Sequence, residues 1–272
     1  MNLKKLYRRI LRRPFFIGQY RIFNYLFKKG YLSTENKETV KPLNGNFFIK
    51  CNTKTWIGAQ IVYLGEYEDY IKNTFKQNIN NGDLVLDIGA NIGFHTLYFA
   101  DLVGKEGKVI AFEPIPSTFS ELFENTQLNN FDNIELKNIA LGNETKQLSV
   151  HIDIDSNNPG ANNLFINGNT KIDCKQGDNV LGDLKVDFIK IDVEGYELYV
   201  LQGLSKLIEN HKPKIVFEYD KNYQLKNNDN ALAIFDFLNQ FNYSFFEINR
   251  GRNTKINDLR KLNSADILAL PL

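Results

Sequence analysis

Asp87, Glu113, Asp192, Glu194 and Glu218 stand at or beside the ends of apolar runs, and Lys190 stands inside one. Charged groups repeated at that place suggest a ligand carrying both charge and hydroxyls. The most informative stretch is Leu84-Val85-Leu86-Asp87-Ile88-Gly89-Ala90-Asn91-Ile92-Gly93-Phe94-His95-Thr96. Its apolar run, acid, glycine turn and helical pattern describe a buried parallel strand that enters a nucleotide-binding turn at a helix start. Gly89 allows the sharp turn, and Gly93 allows helix and ligand to approach closely.

The turn does not fit a dinucleotide fingerprint, because Asn91 and Phe94 occupy two of the positions that require glycine. Asp87 would repel a pyrophosphate and suits an ammonium-bearing ligand instead, such as the methionine end of S-adenosylmethionine. The next strand, Lys108 to Phe112, ends in Glu113-Pro114, where an acid can accept both hydroxyls of a ribose. In the segment Val186 to Glu197, Asp192 and Glu194 follow a strand whose Lys190 shares a face with Asp192. A lysine there needs a charged partner or a function. Glu218 ends the following strand and points to the same edge.

If the ligand is such a methyl donor and the acceptor an alcohol, transfer needs a base for the hydroxyl proton. The chain has three histidines. His211 precedes a strand and falls at the far edge, His151 lies within a strand, and His95 is at the correct edge. Asp192 is the first candidate for base or orienting acid, followed by Glu218 and His95. The alternative for Lys190 is a structural ion pair, and for His95 a packing role beside the cofactor. Clustered carboxylates could also hold a divalent metal, and the sequence leaves that open.

The elements that position these groups follow from periodicity. Strands are expected at 84–88, 108–113, 134–140, 186–192, 214–219, 243–248 and 266–270, with helices at 94–103, 116–129, 196–209 and 230–240. Upstream, a β-rich lead-in (Asn46 to Lys50, Gln60 to Leu64) precedes a helix from Glu66 to Gln77. Gln147 to Ile152 reads as an additional strand. Residues 153–182, rich in Asn, Asp and Gly around Leu164-Phe165-Ile166, read as a long polar loop serving as a lid or a substrate-binding element, with disorder as the alternative. The expectation is a mostly parallel sheet covered by helices on both faces.

The 272 residues and 43% apolar content support a core of ordinary size. A net charge of +1 argues against a general nucleic-acid binder. Two distant cysteines, Cys51 and Cys174, make a disulfide framework unexpected and point to a reducing cytoplasm. Residues 1–30 carry Lys4, Lys5, Arg8, Arg9, Arg12, Arg13, Arg21, Lys28 and Lys29 without an acid, around an apolar stripe of Leu3, Leu6, Tyr7, Ile10 and Leu11. Such a helix docks on the domain by its stripe or lies on an anionic membrane surface. No secretory signal or membrane span is expected.

Asp87 to Gly93, Phe112-Glu113-Pro114, Asn138 to Leu141 and Ile189 to Glu197, with Tyr67-Glu68 upstream, together resemble the FkbM family of S-adenosylmethionine-dependent methyltransferases. The resemblance spans residues 65–220. It implies the class I methyltransferase (Rossmann-like) fold, a seven-stranded sheet with an antiparallel last strand, and O-methylation. By position it implies that Glu68, Asp87, Gly89, Ala90, Asn91, Gly93, Glu113, Pro114, Asn138, Ala140 and Asp192 bind the cofactor. Ile139 stands where many such enzymes place an acid for the adenine amino group, so Asn138 or backbone groups would take that role. Residues 1–60 are expected to be an extension and 61–272 the methyltransferase domain. The acceptor expected is a hydroxyl on a bacterial surface glycan or its precursor. Alternatives are a small natural product bearing a hydroxyl or amine, and a non-catalytic binding module. The sequence does not set the oligomeric state.

Overall fold

In the computed structural model, residues 3–13, 16–34, 37–150, 168, 170–228, 230–249 and 252–272 are described. An eight-stranded sheet forms the centre, from β1 (Leu84–Ile88), β2 (Lys108–Phe112), β3 (Ile134–Lys137), β4 (Phe188–Ile191), β5 (Lys214–Asp220), β6 (Tyr243–Asn249), β7 (Arg252–Lys255) and β8 (Ser264–Pro271). Their spatial order is β7-β6-β8-β5-β4-β1-β2-β3. The run from β5 to β3 is parallel, and β8 inserts antiparallel between β5 and β6. This is the class I methyltransferase arrangement. β7 is an eighth strand beyond the seven expected; its polar Arg-Asn-Thr-Lys sequence carries no apolar alternation and pairs only as a hairpin on the edge strand β6.

The central strands read as continuous apolar runs because both faces are covered. Leu86, Ile88, Ile110, Phe112, Ile189 and Ile191 pack to one side, and Val85, Val109, Phe188 and Val216 to the other. The first side is closed by Glu197–Gly203, Ser205–His211 and Ala233–Asn239. The second is closed by the N-terminal helices α1 (Leu3–Leu11), α2 (Gln19–Lys28), α3 (Trp56–Tyr63), α4 (Lys72–Asn78) and α5 (Phe94–Val103). α6 (Pro116–Gln127) sets Leu122 against Ala90 and Ala111.

The basic N-terminal segment docks through only part of the expected stripe: Leu11 is buried, Leu6 and Tyr7 are half-buried, and Leu3 and Ile10 are exposed. Leu11, Phe23 and Leu26 are buried in the same cluster as Val85 and Phe99. Arg12 clamps the end of α3 by donating to the carbonyls of Ile61 and Val62 at 2.9 and 3.1 Å, and Arg8 pairs with Glu38 at 3.2 Å.

Three local expectations are corrected. Gln60 to Leu64 is not a strand: it belongs to α3, whose start Thr55 caps by accepting from the Gly58 amide, and burial on nearly all sides removed the helical period. The helix placed at Glu66 to Gln77 begins only at Lys72, because Gly65 and Glu68 adopt positive φ and break the preceding turn. Within 153–182, Thr170–Gln176 is a strand and Gly177–Leu181 a short helix. That strand pairs with Lys146–Val150 and with Ala140–Gly142 in a separate three-stranded sheet, so Ala140 to Gly142 leaves the main sheet after β3. Its alternating Ile172 and Cys174 were masked by the polar residues between them. His151, Ile152 and the Leu164-Phe165-Ile166 island lie outside the described residues.

Candidate active site

The glycine turn closes onto the end of β2. The amides of Gly89 and Ala90 both donate to the Phe112 carbonyl at 3.0 Å. The amide of Asn91, held at φ 51°, donates to Glu113 Oε2 at 3.0 Å, and Ile115 donates to Glu113 Oε1 at 2.9 Å. Glu113 is therefore fixed from both sides and is only 6% exposed. Each oxygen uses one acceptor site on the backbone and keeps another for a hydroxyl. Burial pushes this carboxyl up to about 7, against the two backbone donors that pull it down.

Gly89 is required by two independent facts. Its φ is +83°, and a Cβ there would lie 1.8 Å from the Asp192 carbonyl oxygen. The close approach is what lets β1 and β4 present their ends side by side. At Gly93 (φ +92°), the start of α5, a Cβ would meet Leu122 at 2.6 Å.

Lys190 is the hub beneath the turn. Its ammonium donates to Asp192 at 3.0 Å and to the Gly89 carbonyl at 3.4 Å, and lies 3.8 Å from Asp87. Burial disfavours its charge, but Asp192 and Asp87 outweigh that and hold the ammonium above its ordinary value. Asp87 is fully buried; its Oδ2 accepts from Thr96 at 2.6 Å, and its Oδ1 has no hydrogen-bond partner.

The segment after β4 is held open by Glu197. This buried carboxylate accepts from the amides of Gly195 and Val193 at 3.0 and 3.3 Å. Glu194 (φ 51°) and Gly195 (φ 99°) occupy the left-handed region in that turn. The result points Asp192 and Glu194 into a cavity of about 250 Å³ that also meets Glu68, Gly89, Asn91, Glu113, Glu218 and Asp266. Desolvation and the neighbouring carboxylates raise Glu218 to about 9 and Glu194 to about 7. Asp266, accepting from Tyr70 at 2.6 Å, is raised to about 7 by burial and by Glu68.

Of the residues singled out in the sequence, Glu68, Gly89, Asn91, Glu113, Lys190, Asp192, Glu194 and Glu218 share this cavity. His95 does not line it. Its ring is enclosed by Tyr67, Phe75, Phe94 and Phe99, and its Nε2 lies 2.9 Å from Glu68. Asp87 sits under the turn, Ala90 packs on Leu122, and Ala140 pairs with Cys174 in the small sheet. Asn138 is committed to the carbonyls of Glu113 and Pro114 at 2.8 and 3.2 Å. It steadies the acid through its backbone, and its amide nitrogen is fully engaged in doing so. Trp56, Tyr70 and Asp266 are cavity residues that sequence reasoning missed; they come from α3, the turn after it and the antiparallel β8, where no strand-end motif marks them. Tyr67 was visible only through the family pattern around Glu68, and Glu197 only as the last letter of its motif.

A family model described as the methyltransferase FkbM domain matches residues 87–245, more than half of the chain. The chain belongs to this family. It is similar to methyltransferase 1 of Beauveria bassiana, 29% identical over 145 residues that cover 44% of this chain and 58% of that protein. It is also similar to the hexuronic acid methyltransferase AglP of Haloferax volcanii, 31% identical over 131 residues, 47% of this chain and 52% of that protein. The matches therefore span little more than half the length of these curated relatives. Among solved structures, the methyltransferase FkbM from Methylobacillus flagellatus is similar with a TM-score of 0.45 at 17% identity, covering 77% of this chain and 52% of that one.

The residues present fit the family's methyl donor, S-adenosylmethionine, at its ribose and methionine ends. Glu113 keeps free acceptor sites for the ribose, and the carboxylates around Lys190 suit a sulfonium and an ammonium. Among the described residues, no group of three or more His, Cys, Asp or Glu side chains is arranged to hold a metal ion.

Proposed function

We propose that the protein is an S-adenosylmethionine-dependent O-methyltransferase whose acceptor is a sugar hydroxyl of a bacterial surface glycan or its precursor. Residues 61–272 would form the catalytic unit and residues 1–60 its docked extension. The observation that carries the reading is the cavity joining the Glu113 end of the glycine turn to the carboxylates Asp192 and Glu218. The name of the AglP relative supports a sugar acceptor.

When bound, the donor supplies an electrophilic methyl group on a positively charged sulfur. The chain orients it: Glu113 takes the ribose hydroxyls, and the turn at Gly89 to Asn91 seats the methionine part. Asp192, held by its ion pair with Lys190, serves to orient the acceptor hydroxyl. Glu218 is desolvated among other acids, so its carboxylate binds a proton tightly. Once that proton is released to solvent, Glu218 would serve as the base. As the acceptor oxygen takes the methyl group in place of the donor sulfur, its hydroxyl proton would pass to Glu218.

The basic residues of 1–30 not used in docking support peripheral contact with an anionic lipid surface, consistent with a cytoplasmic enzyme working beside lipid-linked sugars. No helix among the described residues is long and apolar enough to cross a membrane.

The test is donor calorimetry together with turnover on sugar acceptors, read as release of S-adenosylhomocysteine. Glu218→Gln should lower kcat by roughly 10²–10⁴-fold with donor affinity little changed. Near-normal kcat in that variant would remove Glu218 as base, and absence of donor binding by the unaltered protein would overturn the whole reading.

A further inference from the structure

Beside the donor cavity lies a larger one of about 890 Å³ that shares Trp56, Glu68, Tyr67, Tyr70 and Asp266 with it. Resting on the function proposed above, we infer that this chamber holds the acceptor and selects a polyhydroxylated ring that is neutral or carries an amine, against one that carries an acid.

The aromatic rings of Trp56, Tyr67 and Tyr70 line the chamber, which suits the apolar C–H face of a sugar ring. Among the described lining residues stand four carboxylates, Glu68, Asp69, Glu247 and Asp266, and no Lys, Arg or His. Two of them are fixed by tyrosine hydroxyls: Tyr20 donates to Asp69 at 3.2 Å and Tyr70 to Asp266 at 2.6 Å. Each fixed carboxylate still has an oxygen able to accept from a ligand hydroxyl or ammonium. The buried cation Lys190 is in the neighbouring cavity and is committed to Asp192 and Asp87. A uronic acid, the ring class in the AglP relative's name, would bring a further acid among these four with no cation to pair it, whereas an amino sugar would meet acids on several sides.

Trp56 is the chain's single tryptophan and borders both cavities, so its fluorescence reports occupancy without a label. The protein, with and without S-adenosylhomocysteine, is titrated with three matched probes: the methyl glycosides of glucosamine, glucose and glucuronic acid. Saturation-transfer NMR serves as the second readout. The amine and neutral glycosides should bind at least about tenfold more tightly than the glucuronide. Glu247→Lys should narrow that gap, and an unchanged gap in a folded variant would count against the inference. A glucuronide that binds as well as the other two, or no glycoside binding by either readout, overturns it. If the sugars rank as expected while S-adenosylhomocysteine does not bind, the acceptor inference stands and the methyl-transfer reading falls. Normal S-adenosylhomocysteine binding with unranked sugars removes the acceptor inference and leaves methyl transfer standing.

Discussion

The ammonium of Lys190 lies 3.0 Å from the carboxylate of Asp192, two residues further along the same chain segment. Because the same ammonium also reaches the Gly89 carbonyl, the lysine ties the glycine turn to the acid that faces the cavity. It is one joint between the β1 and β4 ends.

Removing one partner of a buried ion pair leaves the other charge uncompensated. Lys190→Met should therefore destabilise the fold by about 3 kcal/mol or more, since Asp87 stays fully buried beneath it. Thermal melting should fall by roughly 5–10 °C. A melt within a degree of the unaltered protein would show that Asp87 does not depend on this cation.

Several cavity acids are held above the ordinary 4.5 or 3.8 of a carboxyl: Glu113, Glu194 and Asp266 to about 7, and Glu218 to about 9. A raised acid keeps its proton in the folded state after the unfolded chain has lost it. The stability these groups contribute is full below their ordinary values and is lost as pH rises through 7 and then 9. Melting temperature should decline across that window, and Glu218→Gln should flatten the upper part of the decline.

Donor affinity should move the other way over the same range. Glu113 accepts ribose hydroxyls with both oxygens best when ionised, so binding of S-adenosylhomocysteine should tighten as pH rises through about 7. Calorimetry at several pH values checks this, and in Glu113→Gln the pH dependence near 7 should disappear along with much of the affinity.

His95 supports Glu68 from a cage of aromatic rings, and its Nδ1 is buried without a partner. His95→Phe keeps the ring and removes an unsatisfied polar atom, so stability should change by less than about 1.5 kcal/mol. Glu68 loses its anchor, and turnover should fall by about tenfold or less. A loss as large as that expected for Glu218→Gln would assign His95 a direct part in proton transfer.

Gly89→Ala places a methyl group against the Asp192 carbonyl at a backbone angle few side chains adopt. Left-handed strain alone costs roughly 1–3 kcal/mol, and the clash forces β1 and β4 apart. Donor binding should be lost even where the protein remains folded by circular dichroism.

The parallel core was legible because its strands are buried on both faces and end in acids. Asp87, Glu113, Lys190 and Asp192 could be placed at one edge from spacing alone. What escaped was contributed by position in space. Trp56 and Tyr70 reach the cavity from a helix and a turn whose burial erased the periodic signal. Asp266 arrives on the antiparallel β8, where an acid near a strand start has no motif to announce it. Asp87 and Asn138 were legible as polar residues at the right edge, but their use in holding the lysine hub and the Glu113 backbone depends on hydrogen bonds that no spacing encodes. The strand Thr170–Gln176 was hidden by polar residues on its exposed face.

β8 is the latest strand in chain order, yet it fills the gap between β5 and β6. During synthesis β5 emerges long before its neighbour, leaving an open edge beside a run of buried-type side chains. The pocket acquires Asp266, one of the residues shared by both cavities, only when residues 264–271 slot in. The nascent chain would pass through an interval in which it is sticky and its larger chamber lacks Ser264, Ala265 and Asp266, so chaperone protection would be needed most just before those residues arrive.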